Sequence, residues 1–298
     1  MKASPMNKAS EVRKTGTTRT VAKATGTQDH TAAPSPASNP KNVVNSVMKA
    51  FSVLHAFTPE MPAMTVSELA SATGMDRGTT FRLIHTLLSL GYLVPVDVRR
   101  FRLGLKCLEL GYQTLSSQDL WSYAAPLLQA CVPDAADAAS LGMLDGADVV
   151  FLQRADNSLA RRNVDRRPGS RVRAYGAALG HAMLAWLPAH EQVGILESTE
   201  RVKLSERTLT DVDALLKRLH QVRKQGYAVS DGENAYGLRT VAVPVFDAQG
   251  APVAGVSLTV DADRMSIADL VASGVPRART IADELAQFVR FCAVPLQR

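Results

Sequence analysis

A chain of 298 residues, 46% of them hydrophobic, is long enough for two packed domains and a tail. Its apolar runs all fall well short of the roughly 20 residues that span a bilayer, and its N-terminus lacks an apolar signal region, which argues against a membrane protein and a secreted one and for the cytoplasm. Three scattered cysteines (Cys107, Cys131, Cys292) and six histidines without ligand spacing argue against a disulfide framework and a metal site, and no cofactor is expected.

The net charge of +6 is unevenly spread. Residues 1–42 carry seven Lys/Arg against two Asp/Glu, residues 43–103 six against four, and the remainder 21 against 22. The positive excess sits in the first third of the chain, where an anionic polymer would select it. Residues 1–42 are rich in Lys, Thr, Ala, Ser and Pro and have no aromatic residue, so they are expected to be a disordered basic tail.

From residue 43 the pattern becomes helical. Val44, Val47, Met48, Phe51, Leu54 and Phe57 share one face of a first helix, expected to pack under the next two. Thr65 and Glu68 form a T-x-x-E capping box for a second helix, and Gly74 follows where a left-handed residue is wanted. Asp76 can cap a third helix running from Arg77 to Leu90. On that helix Phe81, Ile84, Leu87 and Leu88 are expected to face the core. Arg77, Thr79, Thr80, Arg82 and His85 are expected to face phosphates and base edges. The pair reads as a helix-turn-helix, whose second helix enters the major groove of duplex DNA. Gly91 to Leu103 then reads as a short hairpin with Arg99, Arg100 and Arg102 at or near its tip, a wing suited to the backbone or minor groove. Residues 43–103 are thus expected to form a winged helix-turn-helix DNA-binding domain.

Gly104 breaks the chain, and Leu105, Leu108, Leu110 and Tyr112 suggest a linker helix over 104–120. Residues 121–298 then mix strands and helices. A helix covers Leu120 to Cys131, and two strands flank the Asp145-Gly146 turn. An Ala-rich helix runs from Gly176 to Leu187, and a short one from Glu191 to Glu197. Thr210 can cap a helix that ends before Gly226. Thr240–Phe246 and Ala251–Val260 form a hairpin, and a last helix covers Ser266 to Phe291, interrupted near Pro276. The fold class is α+β, a mainly antiparallel sheet flanked by helices.

Four segments in order carry a family resemblance: SELASATGMDRGTTFRLIHTLLSLGYL, RRFRLGLKCLELG, PGSRVRAYGAALGHAMLAWLP and GYAVSDGENAYGLRTVAVPVFDAQGAPVAGVSLT. Over about residues 43–290 the chain resembles the IclR-type transcriptional regulators. The resemblance implies a winged helix-turn-helix followed by a GAF-like effector-binding domain, assembled as a homodimer or a dimer of dimers. It also implies a pocket for a small organic acid at Tyr175, Ala178, Leu179, Ser230, Asp231, Thr240, Ser257 and Thr259. Physically, Ala178 and Leu179 offer backbone N–H groups near a helix start, and Ser257 and Thr259 share one face of a strand. The chain departs from the family at Arg173, Ala177 and Thr240. Arg171 and Arg173 alternate onto one side and suit either a carboxylate clamp or an ordinary ion pair. The runs around Tyr175 and Asn234–Arg239 look similar to the subgroup controlling aromatic-acid catabolism, where Tyr175 would stack on a ring or sit in the core.

An enzyme fused to a DNA-binding module is the competing reading, and a nucleoid protein a third. Against the enzyme, the sequence has no nucleophile elbow, phosphate loop or metal-ligand cluster. Asp231 and Glu233 form a possible acid/base pair, but nearby loop carboxylates are usually solvated. The nucleoid reading sits poorly with a nearly neutral second domain.

Overall fold

The computed structural model describes residues 43–116, 120–157 and 166–291. The expected basic tail and Cys292 lie outside these residues. The chain divides into two compact units, one ending at Gly104 and one beginning at Leu105.

The first unit contains α1 (Asn45–His55), β1 (Met64–Thr65), α2 (Val66–Thr73), α3 (Arg77–Ser89), β2 (Leu93–Pro95) and β3 (Arg100–Leu103). Both halves of the α2 capping box form. The Thr65 N–H donates to Glu68 Oε2 at 2.7 Å, and the Glu68 N–H donates to Thr65 Oγ1 at 3.3 Å. Gly74 ends the helix at φ +65°, and Asp76 Oδ1 accepts from the Thr79 N–H at 2.8 Å to open α3. The wing is a three-stranded antiparallel sheet in the order β1-β3-β2, with Met64 opposite Phe101. β1 is a two-residue strand that the sequence pattern did not reveal. At the start of the exit from the wing, a Cβ on Gly104 would stand 2.3 Å from the Gly91 carbonyl oxygen, so only glycine lets the two backbones meet there.

The core of this unit is built on Val53, Met64, Leu69, Ile84, Leu87 and Leu93. Two expectations need correcting. On α1 and just after it, Val53 is buried and Leu54 and Phe57 pack against the core as expected, while Val44, Val47, Met48 and Phe51 are exposed. The helix turns its more continuous apolar stripe away from its own unit. On α3, Thr80 is fully buried and Phe81 is 52% exposed, the reverse of what was expected.

The second unit holds α4 (Lys106–Ser116), α5 (Leu120–Gln129), β4 (Ala138–Asp145), β5 (Asp148–Asp156), β6 (Arg171–Arg173), α6 (Ala178–Leu184), α7 (Ala189–Glu197), α8 (Val212–Gln225), β7 (Ala228–Asp231), β8 (Leu238–Phe246), β9 (Pro252–Asp261) and α9 (Ile267–Phe291). Among the described residues β4 to β9 form one antiparallel sheet in the order β6-β5-β4-β9-β8-β7. One face packs α5 and α9 against Leu141, Val241, Val243, Val256 and Leu258. The other packs α6 and α8 against Val149, Val172, Ala228 and Ala242. Alternation along each strand assigns neighbouring residues to the two layers.

Boundaries shift in small ways. Asp211, not Thr210, caps α8, accepting from the Ala214 N–H at 2.8 Å. α6 is shorter than its apolar run, because Ala174–Gly176 form a separate 3-10 turn. α9 is continuous through Pro276. No helix among the described residues is long and apolar enough to cross a membrane.

Candidate functional site

The first candidate surface is the exposed side of α3 with the wing. Arg77, Arg82 and His85 are exposed, and Thr79 is half-buried. Thr80 leaves the expected set, because it is buried and its hydroxyl donates to the Asp76 carbonyl oxygen at 2.9 Å. Phe81 takes its place on the outer face, its ring 4.2 Å from that of His85. On the wing, Asp97 Oδ1 accepts the N–H groups of Arg99 and Arg100 at 2.8 and 2.9 Å, and Arg100 Nε donates to Asp97 Oδ2 at 2.8 Å. These bonds hold the Asp97 carboxyl below its ordinary range, with the Arg99 N–H as the largest cause. They also shape the turn that presents Arg99 and Arg102, both exposed. Arg100 is exposed as well, but its charge is shared with Asp97.

The second candidate is a cavity in the other unit, between α6 and the sheet. Its floor follows from strand register. Arg154, Ser140, Ser257, Ala242 and Ala228 lie opposite one another across β5, β4, β9, β8 and β7. The next row, two residues along each strand, is Asp156, Ala138, Thr259, Thr240 and Ser230. Two adjacent rows on one sheet face therefore combine five hydroxyl residues with three alanines. The alanines leave room above the sheet, and the hydroxyls make that room polar.

Arg154, Ser230, Thr240, Ser257 and Thr259 line the cavity from below. Ala177, Ala178 and Leu179 line it from the start of α6, and Phe151, Val172 and Leu238 supply apolar wall. The empty space above the floor, with the solvent at its open mouth included, is about 550 Å³. Glycines seat α6 over the sheet. A Cβ on Gly255 would stand 3.0 Å from Leu179 Cδ2, and one on Gly180 only 2.0 Å from the Ala174 carbonyl oxygen.

The polar groups are unevenly satisfied. Thr240 Oγ1 and Thr259 Oγ1 lie 3.0 Å apart and bond each other. Ser230 and Ser257 are 5% and 3% exposed and line the same cavity. With Thr240 and Thr259 they give the cavity a hydroxyl-bearing floor that suits a polar occupant. The Arg154 side chain is 8% exposed; its Nε donates to Asp156 Oδ2 and its Nη1 to Ser140 Oγ, both at 3.0 Å. Arg166 Nη2 donates to Asn234 Oδ1 at 3.0 Å, and its guanidinium lies 5.9 Å from the Phe151 ring centre.

Of the expected effector residues, Ala178, Leu179, Ser230, Thr240, Ser257 and Thr259 come together here. Tyr175 and Asp231 do not line the cavity. Tyr175 is a core residue at 1% exposure, its hydroxyl donating to the Val202 carbonyl oxygen at 2.7 Å and accepting from the Val202 N–H. Asp231 lies one residue past Ser230, on the opposite side of β7, where Arg207 and Arg239 bridge it. Arg171 and Arg173 are tied to Asp145 and Asp148, so the ion-pair alternative holds for them. The sequence reading missed Phe151, Arg154, Arg166 and Asn234. A strand model with register would have found Arg154, since it sits in the row of Ser257; the others come from loops and bulges.

Glu233 is buried rather than solvated. Its Oε1 accepts from Arg218 Nη1 at 2.9 Å, and its Oε2 is buried without a partner. His181 is buried nearby, with Nε2 at 2.6 Å from the Tyr175 carbonyl oxygen and Nδ1 unpartnered. Burial holds its pKa below the ordinary value, and the Glu233 charge opposes that shift. Among the described residues no group of three or more His, Cys, Asp or Glu is placed to hold a metal ion.

A winged helix-turn-helix and a helix-covered antiparallel sheet with a polar-floored cavity define a class: a DNA-binding protein with a ligand-binding domain. Residues 46–97 match the IclR helix-turn-helix domain, and residues 112–287 match the bacterial transcriptional regulator IclR C-terminal domain. The HTH-type transcriptional regulator KdgR of Escherichia coli K12 is 35% identical over 224 residues, covering 75% of this chain and 84% of KdgR. A solved structure from Rhodococcus sp. RHA1, described as a transcriptional regulator, is 34% identical with a TM-score of 0.72, covering 83% of this chain and 98% of the other. The inducer-binding domain of the Acinetobacter PobR transcription factor, solved as a double mutant in complex with 3-hydroxybenzoic acid, is 27% identical with a TM-score of 0.52, covering 56% of this chain and 98% of that one. The chain belongs to the IclR family of bacterial transcriptional regulators, and it is a regulator rather than an enzyme.

Proposed function

We propose that this regulator changes its affinity for a DNA operator when a small organic acid occupies the cavity between α6 and the sheet. The observation that carries the reading is the set of hydroxyls, Ser230, Thr240, Ser257 and Thr259, lining one cavity with Arg154. A face meant only for packing would be apolar there, as the opposite face of the same strands is. DNA is read by Arg77, Thr79, Arg82 and His85 on α3 and held by Arg99, Arg100 and Arg102 on the wing. The PobR complex, with its hydroxylated aromatic acid, supports an aromatic-acid effector here.

The active form is a homodimer or a dimer of dimers. Val44, Val47, Met48 and Phe51 expose one apolar face of α1, and Leu105, Leu108 and Tyr112 expose another at the start of the second unit. Apolar stripes of this kind on helices fit burial against a second copy.

The test is direct. Duplexes bound by the full chain are selected from a random-sequence pool, and their affinity is measured with and without 3-hydroxybenzoate and short aliphatic acids. An acid that binds one DNA-affinity state better than the other must shift operator affinity by the same coupling factor. Selection of a defined sequence with an acid-dependent affinity supports the reading. A defined sequence whose affinity none of the acids changes overturns the effector half.

A further inference from the structure

We infer that Val98, at the tip of the wing, rests on the floor of the DNA minor groove and discriminates A·T from G·C pairs at the step beneath it. This rests on the wing lying against the operator, as proposed above. Among the described residues Val98 is the most exposed large apolar side chain, at 97%. It takes no part in the core of its unit. Turns ordinarily place Gly, Asn, Asp, Pro or Ser at such a position, not a β-branched residue. The turn is nevertheless held in one shape. The Val96 N–H donates to the Arg100 carbonyl oxygen at 2.8 Å and closes the hairpin. Asp97 Oδ1 ties down the N–H groups of Arg99 and Arg100 on the far side of the valine. A side chain displayed on a preset arch loses little freedom when it binds.

The charges around the arch indicate what it meets. Arg99 follows Val98, and Arg102 lies on β3 opposite Val94; both are exposed. The acid at the tip, Asp97, is engaged by Arg100 and by two backbone N–H groups. An apolar tip set among cations suits the minor groove, whose two walls are phosphate backbones and whose width of about 6 Å admits one branched side chain. The floor then decides the sequence. An A·T pair presents the adenine N3 and thymine O2 acceptors there, in either orientation. A G·C pair adds the guanine N2 amino group, which stands out from the floor as a donor. A valine pressed onto that amino group would shut it away from water without giving it an acceptor, which carries the cost of a lost hydrogen bond. The preference is therefore for A·T over G·C, with A·T and T·A alike. α3 does not supply such a preference, because it reads the major groove, where all four pairs differ.

The test uses the full chain and the duplex it selects from a random-sequence pool. Each A·T pair of that duplex is replaced in turn by G·C and by inosine·C, and affinity is measured by fluorescence anisotropy. Inosine lacks the guanine N2 amino group, so an inosine·C pair joins the minor groove of A·T to the major groove of G·C. Where α3 reads the base, both replacements are expected to weaken binding alike. Under the wing, G·C is expected to weaken it by about tenfold and inosine·C to leave it unchanged. Val98→Gly is expected to erase that G·C penalty while keeping the wild-type slope of log K against log salt, because no cation is lost. Val98→Thr keeps the branched shape and adds a hydroxyl that can accept from the guanine amino group, so it is expected to narrow the penalty. A duplex with no position where inosine·C binds better than G·C, or a penalty undiminished in both Val98 variants, overturns the assignment. If such a duplex still loses salt slope in Arg99→Ala and Arg102→Ala, the wing lies on DNA and Val98 alone is removed. If those two variants change neither affinity nor slope, the wing is off the DNA and the docking proposed above falls with it. If no duplex is selected, both fall.

Discussion

The hydroxyl of Thr80 donates to the carbonyl oxygen of Asp76 at 2.9 Å, and this inward bond turns the next residue, Phe81, onto the outer face of α3. One helical residue is a rotation of about 100°, so burying Thr80 beside Ile84 and Leu87 leaves Phe81 beside Arg82 and His85. Phe81→Ala is expected to change stability by no more than about 0.5 kcal/mol, since the ring is half exposed. Its effect belongs in DNA affinity, where a phenyl ring suits a thymine methyl. A loss of about threefold to tenfold in operator affinity is expected in a fluorescence-anisotropy titration, confined to sequences with a thymine at one position. Equal affinity in both proteins would remove Phe81 from the interface.

Arg82→Ala is expected to weaken operator binding at fixed salt, as Arg82 is exposed on the same helix face. The wing arginines should behave differently. Arg99→Ala and Arg102→Ala are expected to lower affinity for all duplexes alike, each reducing the slope of log K against log salt by about one. Arg100→Ala should reduce it less, because Arg100 already pairs with Asp97. Equal slopes for all three variants would show that the Asp97 pairing does not persist on DNA.

His181 sets an expectation for pH. Its folded pKa lies below the ordinary 6.5, chiefly because burial disfavours the charged ring. At neutral pH it is uncharged in both folded and unfolded chains and costs nothing. As pH falls through 6.5 the unfolded chain takes up a proton that the folded chain refuses, so stability drops from there downward. Glu68, Asp76 and Asp97 have lowered pKa values, so their contribution is lost only at lower pH, below about 4.5. Urea melts of the wild type between pH 7 and 5 should show the loss, and His181→Gln should flatten it. An identical slope in the variant would assign the effect elsewhere.

Gly180→Ala is expected to destabilise the second unit by about 1–3 kcal/mol or more, because the new methyl would meet the backbone of the 3-10 turn before α6. Gly255→Ala is milder: its methyl would press on Leu179, whose flexible end can give. It should lower acid affinity more than melting temperature, since Leu179 is part of the cavity. Equal melting temperatures for Gly180→Ala and the wild type would mean that the turn moves freely.

Much of the first unit was legible in sequence because its signals are local. The capping box, the Gly74 turn and the Asp76 cap each lie within four residues of what they fix. Side-chain orientation failed where two residues competed. Phe81 looked like the core residue by hydrophobicity, but Thr80 fits the crowded helix start by bonding its own backbone. The α1 stripe failed differently, since a stripe reports that a face is apolar and not which partner covers it. In the second unit Ser257 and Thr259 were legible as one strand face from alternation, while Ser230 and Thr240 came from the family resemblance. Arg154 was not, because its place in the row of Ser257 is set by the pairing of both β5 and β9 with β4, which leaves no local signal. Tyr175 had the right neighbours in sequence, yet its hydroxyl closes a bond to Val202 that only the folded chain brings near.

The paired rows beneath α6 also constrain how such a protein can diverge. Along β9, Val256, Leu258 and Val260 face one helical layer while Ser257 and Thr259 face the cavity. Substitution at the second set can change what the cavity accepts without touching the core beneath it. A single-residue insertion or deletion within the strand cannot, since it would exchange the two sets wholesale and place hydroxyls against α9. Novelty in this sheet is therefore open to point mutation and closed to changes of length.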